Sequence, residues 1–333
     1  MPEASETHQI RPNLNRIELE MPGDLPEPAS EPRNVYLLAG EAPALINAGH
    51  PQQFEALSKA IRSLGVELVD IARILHTSWA VASLGGAKNF PETDHFVLSP
   101  DMVEPRDYQR IVDGRRRNLM EFGDELLEHE EFADQDRGDL ESFAEKYFPA
   151  LPRQLDFVPI RSGHVVRVGE YALEVIATPG PESGHACFFD ADEDLLFTGD
   201  FSIDGMPTHL DDVQSYFVSL ERLIELDAST VLPNSGEPRD RGTWALQGAH
   251  RFINNFMSHA PQAMYEEPTL VEFARRDWGG QPDDFAQVVL EMRVYRALMQ
   301  ELVRSRMVEA KGEGLDRRFG TDFDDPREDL RDF

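Results

Sequence analysis

Between Tyr171 and Asp200 apolar and polar positions alternate, break and alternate again, and the rest of the chain is arranged around that stretch. Tyr171–Ala177 predicts a strand that ends at Pro179-Gly180-Pro181, Ala186–Asp190 a second, and Leu195–Asp200 a third beyond the polar turn Ala191–Asp194. Upstream, residues 1–15 are polar and expected to fray, and Arg16–Met21 alternates as a strand. A Pro-rich link, Pro22–Pro32, then leads to a hairpin over Asn34–Asn47. Phe54, Leu57 and Ile61 fall on one face of a helix over about Gln52–Leu64, with Gly65 as its stop. Val69–His76 and His95–Ser99 read as strands. Residues 103–150 form a charged helical excursion, with helices at Pro105–Met120, Glu121–Glu131 and Leu140–Tyr147 and Asp139 as an N-cap. Leu155–Val168 leads back to the core, and Asp212–Leu226 is a helix with Tyr216, Leu220 and Leu223 inward. Thereafter the pattern is helical: Thr243–His259, Thr269–Arg276, and a longer helix whose stripe is Phe285, Val289, Met292, Leu298, Leu302 and Met307. Val308–Phe319 predicts a hairpin turning at Lys311–Gly314, and an acidic tail follows Thr321.

Composition changes this picture in two ways. The 333 residues are enough for a full core and a second small domain. The balance of 32 basic against 62 acidic residues gives a net charge of −30, and only four of the basic residues are lysines. Such acidity resembles adaptation to high intracellular salt, where screening acts over about 3 Å at 1 M. No run approaches a membrane span and no leader pattern opens the chain, so a cytoplasmic protein without a membrane partner is expected. The single cysteine, Cys187, lies in a strand and reads as a small core residue.

The motifs resemble those of the metallo-β-lactamase superfamily. Its T-P-G-H-T-x-G-H pattern appears as Thr178-Pro-Gly-Pro181-Glu-Ser-Gly-His185, its F-T-G-D as Phe197-Thr-Gly-Asp200, and its late V-L-P-G-H-G-E-P as Val231-Leu-Pro-Asn-Ser-Gly-Glu-Pro238. The opening hairpin, and Ile74–Ala87 with Gly85-Gly86, follow in the family's order. The resemblance implies a four-layer αββα sandwich over residues 1–240, with the insert at 103–150. It further implies a small C-terminal winged-helix-like domain over 241–333.

In intact relatives this fold holds two zinc ions, and here the resemblance fails. Read in register, the early ligand positions are Ser78, Ala80, Ala82 and Ser83, the next is Pro181 and the last Ser235; only Asp200 keeps a ligand, and Asn47 replaces a supporting Asp. A four-ligand zinc site is worth about 10–16 kcal/mol, or about 3 per ligand, so one carboxylate would hold metal near millimolar strength. The expectation is a pseudoenzyme with no cofactor, keeping a pocket of His76, Ser78, Trp79, Ser83, His185, Asp200 and Ser235 for an unknown small molecule or protein partner. A homodimer is compatible with this reading. His185 sits at a family position that is usually structural, His76 is open to pocket or core, and Trp79 to an aromatic wall or a core cap. His209 with Asp204, Asp211 and Asp212 matches no metal motif. Two other readings stand beside it. One is an ester or thioester hydrolase with a site rebuilt around Asp200. The other is nucleic-acid association through Arg293, Arg296, Arg304, Arg306, Arg317 and Arg318, disfavoured by the interleaved Glu291, Glu301 and Glu309. Arg115-Arg116-Arg117 reads either as a solvated helix face or as an anion-binding rim.

Overall fold

The structure is a computed structural model, and it describes residues 6–98 (except 22 and 24), 108–149, 157–203, 207–277 and 284–321. The acidic tail, Asp204 and the start of the helical insert lie outside the described residues.

The described residues build two facing sheets with helices outside each. The first contains β1 (Glu6–Arg11), β2 (Leu14–Leu19), β3 (Arg33–Leu38), β4 (Ala44–Ile46), β5 (Arg73–His76), β6 (Asp94–Leu98) and β7 (Phe157–Ile160), in chain order. The second runs β12 (Thr230–Pro233), β11 (Leu195–Gly199), β10 (Ala186–Asp190), β9 (Tyr171–Ala177) and β8 (Val165–Val168). Tyr36, Leu75, Phe188 and Phe197 fill the space between the sheets. They come from alternate positions of strands whose other faces meet helices, as period-two patterning requires. On the outer face of the first sheet lies α1 (Phe54–Ser63), which buries Leu57 and Ile61. Short α2 (Val81–Leu84) follows β5.

The second outer layer comprises α3 (Tyr108–Leu127), α4 (Arg137–Tyr147), α5 (Val213–Glu225), α6 (Gly242–Ala263), α7 (Leu270–Asp277) and α8 (Phe285–Arg304), with the hairpin β13 (Glu309–Lys311) and β14 (Arg318–Gly320). One apolar core joins the helical insert to the C-terminal helices, and α8 contacts α3, α4, α5, α6 and α7. No helix among the described residues is long and apolar enough to cross a membrane.

Several local expectations change. Residues 6–11 do not fray, because β1 pairs antiparallel with β2 and leaves its other edge free. The strand predicted from Val69 begins only at Arg73; Leu68–Asp70 is a 3-10 turn that leaves Val69 exposed. The break predicted at Met120 does not occur. Val112, Leu119, Phe122 and Leu126 recur at helical spacing, so one buried face carries α3 straight through. Asp136, not Asp139, caps α4, its carboxylate accepting the Gly138 N–H at 2.8 Å. Met307 falls beyond α8 and is exposed.

Gly180 shows how tightly the strand break is held. Its φ of 140° lies where side chains are disfavoured, and a Cβ there would overlap the α5 backbone at Tyr216. Gly180→Ala is therefore expected to cost about 3 kcal/mol or more, read as a lowered urea midpoint at unchanged slope.

Candidate functional site

β11 and β12 end side by side in one sheet and β5 in the other, and the loops that follow them, carrying Asp200, Asn234-Ser235 and Thr77–Ala82, meet through the bonds of Asn234. At this convergence the side chain of Asn234 forms a buried hub. Its amide group donates to Thr77 Oγ1 at 3.0 Å, to Asp200 Oδ1 at 3.0 Å and, longer, to Ser83 Oγ at 3.4 Å. Its oxygen accepts from Asn47 Nδ2 at 2.8 Å, while Asn47 Oδ1 takes the Thr77 N–H and hydroxyl. Asn47 holds this orientation from a left-handed backbone, φ 67°, which asparagine tolerates better than most residues. Asp200 also takes a hydrogen bond from Ser78. Burial alone would raise its carboxyl. The His185 ring, the Arg33 guanidinium and the bonds from Ser78 and Asn234 outweigh burial and hold it below the usual carboxylate range.

His185 has a structural part. Its Nε2 accepts the Asp200 N–H at 3.0 Å, so Nδ1 carries the proton and donates to Thr178 Oγ1 at 2.8 Å. Thr178 donates in turn to Cys187 Sγ at 3.3 Å, and that thiol to the Thr198 carbonyl at 3.4 Å. Burial pushes the Cys187 thiol up to about 12. Gly199 leaves room for this chain, since a Cβ there would lie 2.5 Å from His185 Nε2.

Two residues of the expected pocket turn away from it. His76 donates from Nε2 to His95 Nδ1 at 3.1 Å, and His95 passes its own Nε2–H to the Phe90 carbonyl at 3.0 Å. Trp79 packs against Tyr108 and Phe157 and gives its indole N–H to the Leu98 carbonyl, so it is a core side chain rather than a wall. Ser235 stays at the mouth, where it bonds to Glu31 and the Pro32 carbonyl. Ser78, Ser83, His185 and Asp200 share the hub.

The sequence did not point to the ring of charge above Asp200. Arg115 of α3 forms a close ion pair with the buried Glu182, which also accepts the Trp79 N–H. The arginine triplet thus divides: Arg115 turns inward, Arg116 lies 3.9 Å from Glu145, and Arg117 is exposed. Arg33 and Arg293 line the same recess with Pro28, Val81, Phe148 and His209. Burial, reinforced by Arg115 and Arg293, lowers the His209 ring to about 3, although Asp211 Oδ1 lies 3.4 Å away. Of the other C-terminal arginines, Arg296 pairs with Glu125 at 2.8 Å and Arg304 with Glu301 at 2.6 Å, which removes them from an open nucleic-acid face.

A pair of zinc ions does not fit the donors present. The ligand positions carry hydroxyls, methyls and a proline, and the remaining carboxylate is engaged by Ser78 and Asn234. Among the described residues no three His, Cys, Asp or Glu side chains are grouped to hold a metal ion.

Residues 110–235 match the family described as Metallo-beta-lactamase superfamily. The chain is 29% identical over 115 residues to "Acyl-coenzyme A thioesterase MBLAC2" of Gallus gallus, covering 34% of this chain and 40% of that protein. It is 24% identical over 239 residues to "Lactamase-like protein adaB" of Aspergillus niger, covering 71% and 59%. It thus spans less than two thirds of the length of either relative. A crystal structure of a metallo-beta-lactamase family protein from Thermus thermophilus superposes with a TM-score of 0.72 at 18% identity, over 94% of this chain and 100% of that one.

Proposed function

Because the chain belongs to the metallo-β-lactamase superfamily, we propose that it is a member that has exchanged metallohydrolysis for ligand binding in the same cleft. The observation that carries this reading is the Asn234 hub. Where zinc would require several charged or imidazole donors, amide and hydroxyl groups satisfy one another and the single acid. Activated hydroxide, the nucleophile that bound zinc supplies near pH 7, then has no holder. Purified native protein is expected to carry well under one equivalent of zinc by elemental mass spectrometry, and to acquire none at micromolar zinc. Near-stoichiometric, tightly held zinc would end this reading.

A second reading is thioester hydrolysis at a site rebuilt around Asp200, favoured by the thioesterase name of one relative. A panel of acyl-coenzyme A substrates, with and without added metals, separates the two. Turnover that disappears in Asp200→Ala would replace the first reading with the second.

A further inference from the structure

Resting on the reading of a metal-free binding cleft, we propose that the recess over Asp200 takes a small organic oxyanion, its carboxylate or phosphate head held by Arg33 and Arg293 and its short apolar body against Val81, Phe148 and Leu290.

The argument starts from an imbalance. The chain has almost two acids for every basic residue, so a guanidinium without a carboxylate is unexpected. Most arginines that approach the helical layer do find one: Arg115 has Glu182, Arg275 has Glu131 and Arg296 has Glu125. Arg33 and Arg293 are the exceptions at this cleft. Among the described residues neither guanidinium is hydrogen-bonded or ion-paired at short range, although Asp200 acts on Arg33 and Asp211 on Arg293 through space, and the Nε of Arg33 is buried without a partner. Both are partly buried and line the recess that also receives Arg115. Burial lowers Arg293, and Asp211 opposes this more strongly than Arg115 reinforces it. Guanidinium groups drawn partly out of water without hydrogen-bonded acceptors are costly, and an anion from solution that supplies those acceptors relieves that cost.

The nearby acids offset part of the charge at a distance but do not supply those acceptors. Glu182 is committed to Arg115, and Asp200 to Ser78 and Asn234. His209, held neutral, adds a ring nitrogen rather than a charge. The planar fork of a guanidinium matches the two oxygens of a carboxylate or phosphate. Beside the heads, Pro28, Ala29, Val81, Phe148 and Leu290 present carbon. The recess has a volume of about 90 Å³ and shares Thr208 with neighbouring hollows of about 210 and 270 Å³. That space suits a head group and a few methylenes. The overall charge of −30 does not forbid this, because charges beyond about 8 Å are screened at physiological salt.

Calorimetric titration of the full chain tests the proposal with hexanoate, hexyl phosphate, inorganic phosphate and, as the uncharged control, hexanol. Hexanoate or hexyl phosphate is expected to bind at least tenfold more tightly than hexanol and inorganic phosphate, and the tighter of the two identifies the head group. Arg33→Gln and Arg293→Gln should each weaken that anion at least tenfold while melting no lower than wild type. Arg293→Lys, which keeps the charge and loses the fork, should also weaken it and serves if the Gln variant fails to fold. The idea is overturned if neither organic anion binds, if hexanol or inorganic phosphate binds as well, or if the variants bind like wild type. Zinc measured on the same sample keeps the two readings apart. Zinc-replete protein that binds the anion sinks only the loss of metallohydrolysis, and zinc-free protein that ignores the anions sinks only this assignment.

Discussion

Taking the protein from pH 7 to pH 5 is expected to remove about 2 kcal/mol of stability through His50 alone, with His76 acting in the same direction. His50 is fully buried, accepts the Gln52 N–H on Nδ1 and meets the Tyr147 carbonyl with Nε2. Burial, aided by Lys88, lowers it to about 4. Burial, with His95 beside it, also lowers His76 well below its ordinary value. Both folded-state values lie below the unfolded value, so the unfolded chain binds more protons. Their contribution is complete above pH 6.5 and disappears as the pH falls toward the folded values. At pH 5, 1.5 pH units below the unfolded value, holding the His50 imidazole neutral costs about 2 kcal/mol, and His76 adds to the loss in the same direction. Relief of carboxylate repulsion works in the opposite direction, but ordinary carboxylates titrate near 4 and are still mostly ionised at pH 5. The histidines therefore dominate that interval. Urea midpoints at the two pH values and constant salt provide the check, with His50→Asn keeping a capping acceptor and flattening the slope. A midpoint that holds or rises toward pH 5 would refute the account.

Asn234→Ala is expected to cost about 3 kcal/mol or more. The change strips a hydrogen bond from the buried Asp200 carboxylate and leaves the Asn47 amide without its acceptor. Unsatisfied buried groups cost roughly 1–3 kcal/mol each, more when charged. Because Asn47 and Thr77 sit in one network with it, the effect should be non-additive. Asn47→Ala and the double variant, run as a cycle in urea, should show a coupling of about 1 kcal/mol or more. Additive losses would mean that the hub is a set of independent bonds.

Individual strands were readable because burial on alternate faces leaves a period of two, while the sandwich they form was implied by the resemblance to the family's motifs. The register that placed Ser78, Ser83 and Asp200 together came from the same resemblance. Asn234 was passed over beside Ser235, although two asparagines in loops stripped of zinc donors were a signal that a neutral network had formed. His76 and Trp79 could not be assigned from the chain, since a strand end offers either face and packing decides. The charged recess left no local trace: Arg33 and Arg293 are 260 positions apart, and α8, packed on the other helices, brings Arg293 to the hollow that Arg33 lines. For α3, the break expected between Met120 and Glu121 is overridden by a buried face that continues across it.

The walls of that hollow come from both ends of the chain, from Pro28 at one side to Arg293 at the other. The strands of both sheets and α1 precede α8 in the chain, so the last wall of the hollow is written after the sandwich it covers. Any molecule that depends on both arginines therefore recognises α8 docked in place rather than the sandwich alone.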